Sequence, residues 1–158
     1  MKENIKEVAK LLIEKRLTIA FAESATAGRL CAEFSMPADA GKYLKGGLVC
    51  YDASLKTDIL GVDSEIIEKY TPESAQVTEA IALGLTHLID ADIHIGVTGL
   101  PAPGGSETFE KPVGTMFIHA IKNGESFFTD RHVFSGNSEA IINDTVERVA
   151  QLLLKNLN

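Results

Sequence analysis

The sequence predicts an α/β protein: a three-layer α/β/α sandwich whose mixed, mostly parallel sheet carries one antiparallel hairpin. Two observations predict it. Short β-rich runs alternate with segments of helical periodicity from Ile5 to Gly99, which implies strands covered by helices on both faces. Further on, two strand-like runs flank Asn123-Gly124, the strongest short hairpin signal, and so bring an antiparallel strand into the sheet. At 158 residues the chain fits one domain, residues 1–158, long enough to bury a sizeable core.

Each element follows from its pattern. Ile5, Val8, Ala9, Leu12 and Ile13 share one helical face, and "LTIAFA" then opens a short buried strand. Residues 25–35 suit a second helix. "GGLVCYD", residues 46–52, reads as the next strand, closed by Asp52 as N-cap of a short helix that carries Leu55, Ile59 and Leu60 and stops at Gly61. "TPESAQVTEAIALGLTHLID" places Pro72 at a first helical position and keeps Val77, Ile81, Leu85 and Leu88 in register before the strand "ADIHIGVTG". The hairpin strands are "VGTMFIHAIK" and "ESFFTDRHVF". A last helix, Ser138 to Asn156, turns Ile141, Val149, Leu152 and Leu153 inward.

Composition narrows the function classes. A formal net charge of -7 disfavours nucleic acid and anionic membrane surfaces as partners. The charged and apolar residues of "MKENIKEVAKLLIEK" alternate at helical spacing, unlike a signal peptide, and nowhere do about 18 apolar residues run together, so a cytoplasmic protein is expected. Cys31 and Cys50 lack C-x-x-C spacing and read as buried thiols, neither of them a nucleophile. No metal or cofactor is called for.

In such sheets ligands sit beyond the carboxyl ends of strands, here Glu23-Ser24, Tyr51-Asp52 and Thr98-Gly99. Ser24 lies between strand and helix, where serine is most often an N-cap. A hydroxyl at that turn is also placed as a nucleophile beside backbone N–H groups able to hold an oxyanion, although G-x-S-x-G is absent. The four histidines show no motif spacing, so no Ser-His-Asp triad can be argued. Lys56, one turn into the helix after the second strand, can serve as base if burial keeps its amine neutral, and Tyr51 can relay or donate a proton. An exposed helical lysine and an edge tyrosine are the ordinary alternatives. The stretch "GVTGLPAPGGSETFEKPVGT", residues 96–115, holds five glycines and three prolines. Through Thr98, Gly99, Gly104, Gly105 and Lys111 it can present N–H groups, hydroxyls and a cation to a phosphate or carboxylate. It matches neither G-x-G-x-x-G nor the P-loop.

Taken together, "AESATAG" (22–28), "YDASLKTDILGV" (51–62) and "TGLPAPGGSETFEKPVGT" (98–115) resemble, in order and spacing, the motifs of the CinA C-terminal domain family, which includes the nicotinamide-nucleotide amidases. The resemblance implies a metal-independent amidohydrolase that converts the carboxamide of nicotinamide mononucleotide, or a related amide, to the acid and ammonia. It implies Ser24 as nucleophile, Lys56 as base and then proton donor, and Tyr51 as assistant. Glu23, Thr26, Gly28, Thr98, Gly99, Gly104, Gly105 and Lys111 would surround the pyridine nucleotide, and a homo-oligomer, dimer or higher, is implied as well. Ala25, Ala27, Ala53, Pro101-Ala102, Ser138 and Ile142 depart from the family pattern, the last two standing where arginines are usual. Those departures keep a second expectation open, a catalytically silent nucleotide-binding or regulatory protein.

Overall fold

Alternation of apolar residues decides which face each strand shows to which helix. The structure is a computed structural model and describes residues 2–158. Helix α1 (Glu3–Lys15) buries Ile5, Val8, Ala9 and Leu12 and ends at Arg16, whose φ of 54° is left-handed. Strand β1 (Ile19–Glu23) is buried throughout. It sends Ile19 and Phe21 into the core on one face and Ala20 and Ala22 into the core on the other. Then come α2 (Arg29–Phe34), β2 (Leu44–Val49), α3 (Ala53–Asp58), α4 (Ser64–Tyr70), α5 (Ala75–Leu88), β3 (Ile93–Gly99), β4 (Thr115–Lys122), β5 (Glu125–Val133) and α6 (Ser138–Leu157).

The sheet order is β2-β1-β3-β4-β5. β1 is parallel to β2 and β3, and β4 is antiparallel to β3 and β5, so β4 alone runs against the rest. The hairpin forms as expected: Asn123 and Gly124 have φ of 52° and 81°, the two positive values a tight hairpin of this kind requires. On one face, residues of α1, α2 and α6 pack with Phe21, Ile95, Val97 and Ile118. On the opposite face Val77, Ile81 and Leu85 of α5 pack with Ala20, Ala22, Leu60 and Val62. This is the three-layer arrangement, and each fully buried Leu, Ile or Phe contributes about 1.5–3 kcal/mol to it. Gly96 lets α5 lie close to the sheet, since a Cβ there would stand 2.5 Å from the Thr78 carbonyl oxygen.

Connections out of β1 and β2 pass over opposite faces, by α2 and α5 respectively. They open a crevice at the carboxyl ends of β1 and β3. Glu23 pairs in register with both Val49 and Val97, so the ends of β1, β2 and β3 lie level there.

Local differences from the sequence reading have physical causes. The helix expected over residues 25–35 starts only at Arg29, because Ala27 and Gly28 adopt left-handed φ of 48° and 94°. Pro72 is not a first helical residue. α5 begins at Ala75, with Ser74 as N-cap accepting from Val77 N–H at 3.2 Å. The sequence reading did not separate α4, a short helix with no fully buried residue, capped by Asp63. Strand β2 runs earlier than expected, from Leu44, and stops before Cys50.

Candidate active site

The backbone around Ser24 is clamped between two neighbouring segments. Its N–H donates to the Val97 carbonyl at 3.0 Å, while the Glu23 carbonyl accepts from Cys50 N–H at 2.9 Å. A capping serine would accept an N–H two or three residues on, but that work is done by Glu23. The Glu23 carboxylate, 1% exposed, accepts from the Thr26 hydroxyl at 2.7 Å and from the N–H groups of Gly28, Leu30 and Cys31 at 3.1, 2.9 and 2.8 Å. An anion at the start of α2 also suits the positive end of the helix. The Ser24 hydroxyl is thereby left for another partner.

That partner is Lys56. Asp52 starts α3 by accepting from Ser54 N–H at 2.8 Å, and the single turn that follows directs Lys56 inward, where it is 1% exposed. Its Nζ lies 2.9 Å from Ser24 Oγ and donates to the Cys50 carbonyl at 2.8 Å. Among the described residues it joins no salt bridge. Burial pushes its pKa below the ordinary lysine value, and the Cys50, Glu73 and Asp52 charges only partly oppose that. This is the environment in which an amine can be neutral and act as a base.

Ser24 opens into a cleft of about 250 Å³, lined also by Ala25, Tyr51, Glu73 and the loop from Gly99 to Gly105. Among the described residues, the N–H groups of Ala25 and Thr26 donate to nothing in the chain, leaving two adjacent donors directly after the nucleophile position. Tyr51 is 67% exposed at the mouth. Of the residues read from the sequence, the structure thus brings Ser24, Lys56, Tyr51, Gly99, Gly104 and Gly105 together.

The remaining site candidates support the cleft without lining it. Glu23, Thr26 and Gly28 form the turn just described. Thr98 is fully buried and shares a hydrogen bond of 2.8 Å with Thr78 of α5. Lys111 is turned away: its Nζ donates to Thr71 Oγ1, the Glu73 carbonyl and Ser106 Oγ at 2.6, 2.7 and 2.9 Å, stapling the glycine-rich loop to residues 71–73. Glu73, which does line the cleft, was missed by the sequence reading. It precedes a helix cap and gives no periodic or motif signal.

Other nucleophile and ligand candidates lie elsewhere. His94 bonds the Ile89 carbonyl at 2.6 Å and His119 meets Ser126 at 3.2 Å, both as satisfied strand residues. Cys50 is buried and Cys31 only half-covered. Burial, reinforced by the Glu23 charge, pushes the Cys31 thiol up to about 12, far from a reactive thiolate. Among the described residues no three His, Cys, Asp or Glu side chains gather as a metal site, and no helix is long and apolar enough to cross a membrane.

Comparisons with known proteins agree with this architecture. The model of the CinA C-terminal domain matches residues 1–157. A relative from Desulforudis audaxviator described as competence-damage inducible is 35% identical over 97% of the chain, and a CinA-like protein of Desulfotalea psychrophila is 36% identical over 85%. The chain spans 37% and 32% of those two proteins' own lengths. Among solved structures, the competence damage-inducible protein A (ComA) of Klebsiella pneumoniae superimposes with a TM-score of 0.93 at 29% identity, covering 98% of this chain and 95% of that one. The competence/damage inducible protein CihA of Agrobacterium tumefaciens gives 0.87 at 25% identity, covering 100% and 98%. With a family match over nearly its whole length and the same fold in solved members, the chain belongs to the CinA C-terminal domain family.

Proposed function

We propose that the protein hydrolyses a primary carboxamide, that of nicotinamide mononucleotide or a related pyridine carboxamide, with Ser24 as nucleophile and Lys56 as base. The observation that carries this reading is the buried Lys56 Nζ at 2.9 Å from Ser24 Oγ, with no salt bridge among the described residues to hold the amine charged. The likeness of the three motifs to nicotinamide-nucleotide amidases supports the choice of amide.

In this mechanism the neutral Lys56 amine takes the Ser24 proton as Oγ bonds to the amide carbon. The carbonyl oxygen becomes an oxyanion that the free N–H of Ala25, a residue lining the cleft beside Ser24, can receive, such a donor being worth about 2.7–4 kcal/mol in other acyl-transfer sites. Lys56 then returns the proton to the amide nitrogen, the C–N bond breaks, ammonia leaves, and a Ser24 ester remains. Water, deprotonated by Lys56, attacks that ester; the acid departs and Oγ regains its proton. Tyr51 stands at the mouth of the cleft, where it can relay or donate a proton.

Ammonia release from nicotinamide mononucleotide and nicotinamide riboside, by wild type and by Ser24→Ala, tests the proposal. The wild type turns over at least one of the two, and the variant loses about 10³-fold or more of that rate. Unchanged activity in Ser24→Ala refutes the role of Ser24. A wild type silent on both compounds favours a binding or regulatory protein.

A further inference from the structure

This inference rests on the amidase reading and concerns which amides the cleft prefers. Beside Ser24 the cleft is walled mostly by glycines and apolar side chains, Leu100, Pro101, Ala102 and Pro103 among them. One charged side chain lines it, that of Glu73; among the described residues no Lys, Arg or His does. One aromatic ring lines it as well, that of Tyr51 at the mouth.

The two carboxylate oxygens of Glu73 differ. Oε2 accepts from Ser106 Oγ, which fixes the half-buried side chain against the glycine-rich loop. Oε1 accepts from nothing among the described residues, and since no buried side-chain oxygen among them lacks a partner, it is open to solvent. It lies 3.7 Å from where a Cβ on Gly105, itself a lining residue, would stand. Among the described residues the carboxylate joins no salt bridge. Lys111 does not supply one: its Nζ bonds the Glu73 backbone carbonyl, Thr71 Oγ1 and Ser106 Oγ. The Glu73 charge is felt at Lys56, where burial lowers the amine's pKa and the Cys50 and Glu73 charges oppose it, so the carboxylate lies within electrostatic reach of the reacting atoms. An open carboxylate oxygen on an otherwise apolar wall attracts positive charge, and so does an aromatic face. We propose that Glu73 is the specificity-determining residue of the cleft: it is the counter-charge for a carboxamide whose ring is cationic, and it selects that amide over an uncharged one of similar shape.

Two ligands separate charge from fit. Nicotinamide riboside carries a pyridinium ring, and its 1,4-dihydro form carries the same amide and ribose on an uncharged ring. Both are titrated calorimetrically into Ser24→Ala protein with Glu73 and with Glu73→Gln, and ammonia release from both is followed with the wild type. Glutamine can keep the Ser106 bond, and the Lys111 contacts use the Glu73 backbone carbonyl, so the loop stays in place. The pyridinium riboside binds about tenfold or more tightly than the dihydro form, and Glu73→Gln brings the two within about threefold. Equal binding of the two by protein that keeps Glu73 overturns the proposal. So does a preference that Glu73→Gln leaves unmoved, an equal loss of both ligands in that variant, or failure of both to bind. Preferential binding of the pyridinium form without ammonia release upholds the selectivity and refutes the amidase reading, whereas equal binding and equal ammonia release from the two forms do the reverse.

Discussion

Glu23 gives the sharpest quantitative test of how the site is built. Its two carboxylate oxygens serve four donors: Oε2 takes the Thr26 hydroxyl and the Gly28 and Leu30 N–H groups, and Oε1 takes Cys31 N–H alone. In Glu23→Gln the amide oxygen can keep the three bonds of Oε2. The new NH2 then faces Cys31 N–H, donor against donor, and one partly buried amide loses its acceptor. Leaving one such group unpaired costs about 1–3 kcal/mol. Glu23→Ala strips the acceptor from all four donors; Leu30 is buried while Gly28 and Cys31 can reach some water, so the cost is about 3–5 kcal/mol, less than four separate losses would sum to. Urea unfolding followed by far-UV circular dichroism reads both values. A loss below about 0.5 kcal/mol in Glu23→Gln, within the range of ordinary surface changes, would mean that the carboxylate does not hold the turn. If Glu23 instead contacted substrate, the glutamine variant would keep its stability and raise KM.

Four other outcomes follow from the same structure. The amidase step needs neutral Lys56, so kcat/KM rises with pH through a Lys56 pKa that burial holds below its ordinary 10.5, and a rate that falls over that rise would refute the base assignment. Unfolded Lys56 keeps its proton to higher pH than folded Lys56, so the wild type gains stability relative to Lys56→Met as pH rises through that window, a gain complete above 10.5; melts of both proteins at several pH values check the sign. Gly84→Ala should destabilise although alanine is the better helix former by about 1 kcal/mol. Its Cβ would stand 2.1 Å from the Leu60 carbonyl oxygen, and relieving such overpacking costs about 1–3 kcal/mol, so a higher Tm would contradict the packing of α5. Ala27→Gly should stabilise by about 0.5–1 kcal/mol, because a left-handed φ of 48° costs alanine about 1–2 kcal/mol and glycine's greater unfolded-state freedom returns only part of that.

The layers and the meeting of Ser24 with Lys56 were legible for one reason. Alternating apolar residues in "LTIAFA" and "ADIHIGVTG" define strands buried on both sides, and such strands in a mixed sheet bring their carboxyl ends, and the short segments after them, to one edge. Side-chain direction was legible only where local chemistry dictates it, as with Asp52 capping α3. Lys111 and Glu73 depended on a tertiary knot. Lys111 could reach solvent or the cleft from sequence alone; Thr71, Ser106 and the Glu73 carbonyl capture it, and that capture leaves the Glu73 carboxylate on the cleft wall. The late start of α2 was hidden because alanine at residue 27 gives no warning of a left-handed backbone, as glycine would have done.

The two readings of Ser24 compete for the same hydroxyl. As a cap, Ser24 Oγ would be occupied by a backbone N–H and the turn would begin the helix at once. As a nucleophile, it needs those N–H groups free and a base beside it. The left-handed Ala27-Gly28 pair delays α2 until Arg29, which brings the amides of Gly28, Leu30 and Cys31 around to the Glu23 carboxylate and away from Ser24. Capping is thus moved one residue back along the chain, to a side chain long enough to reach across the turn. What remains at Ser24 is a hydroxyl 2.9 Å from a buried amine and followed by two undonated N–H groups. The same carboxylate that stabilises the turn therefore sets the hydroxyl free, and loss of Glu23 should remove the proposed amidase activity through geometry even at denaturant-free conditions where the protein is still folded.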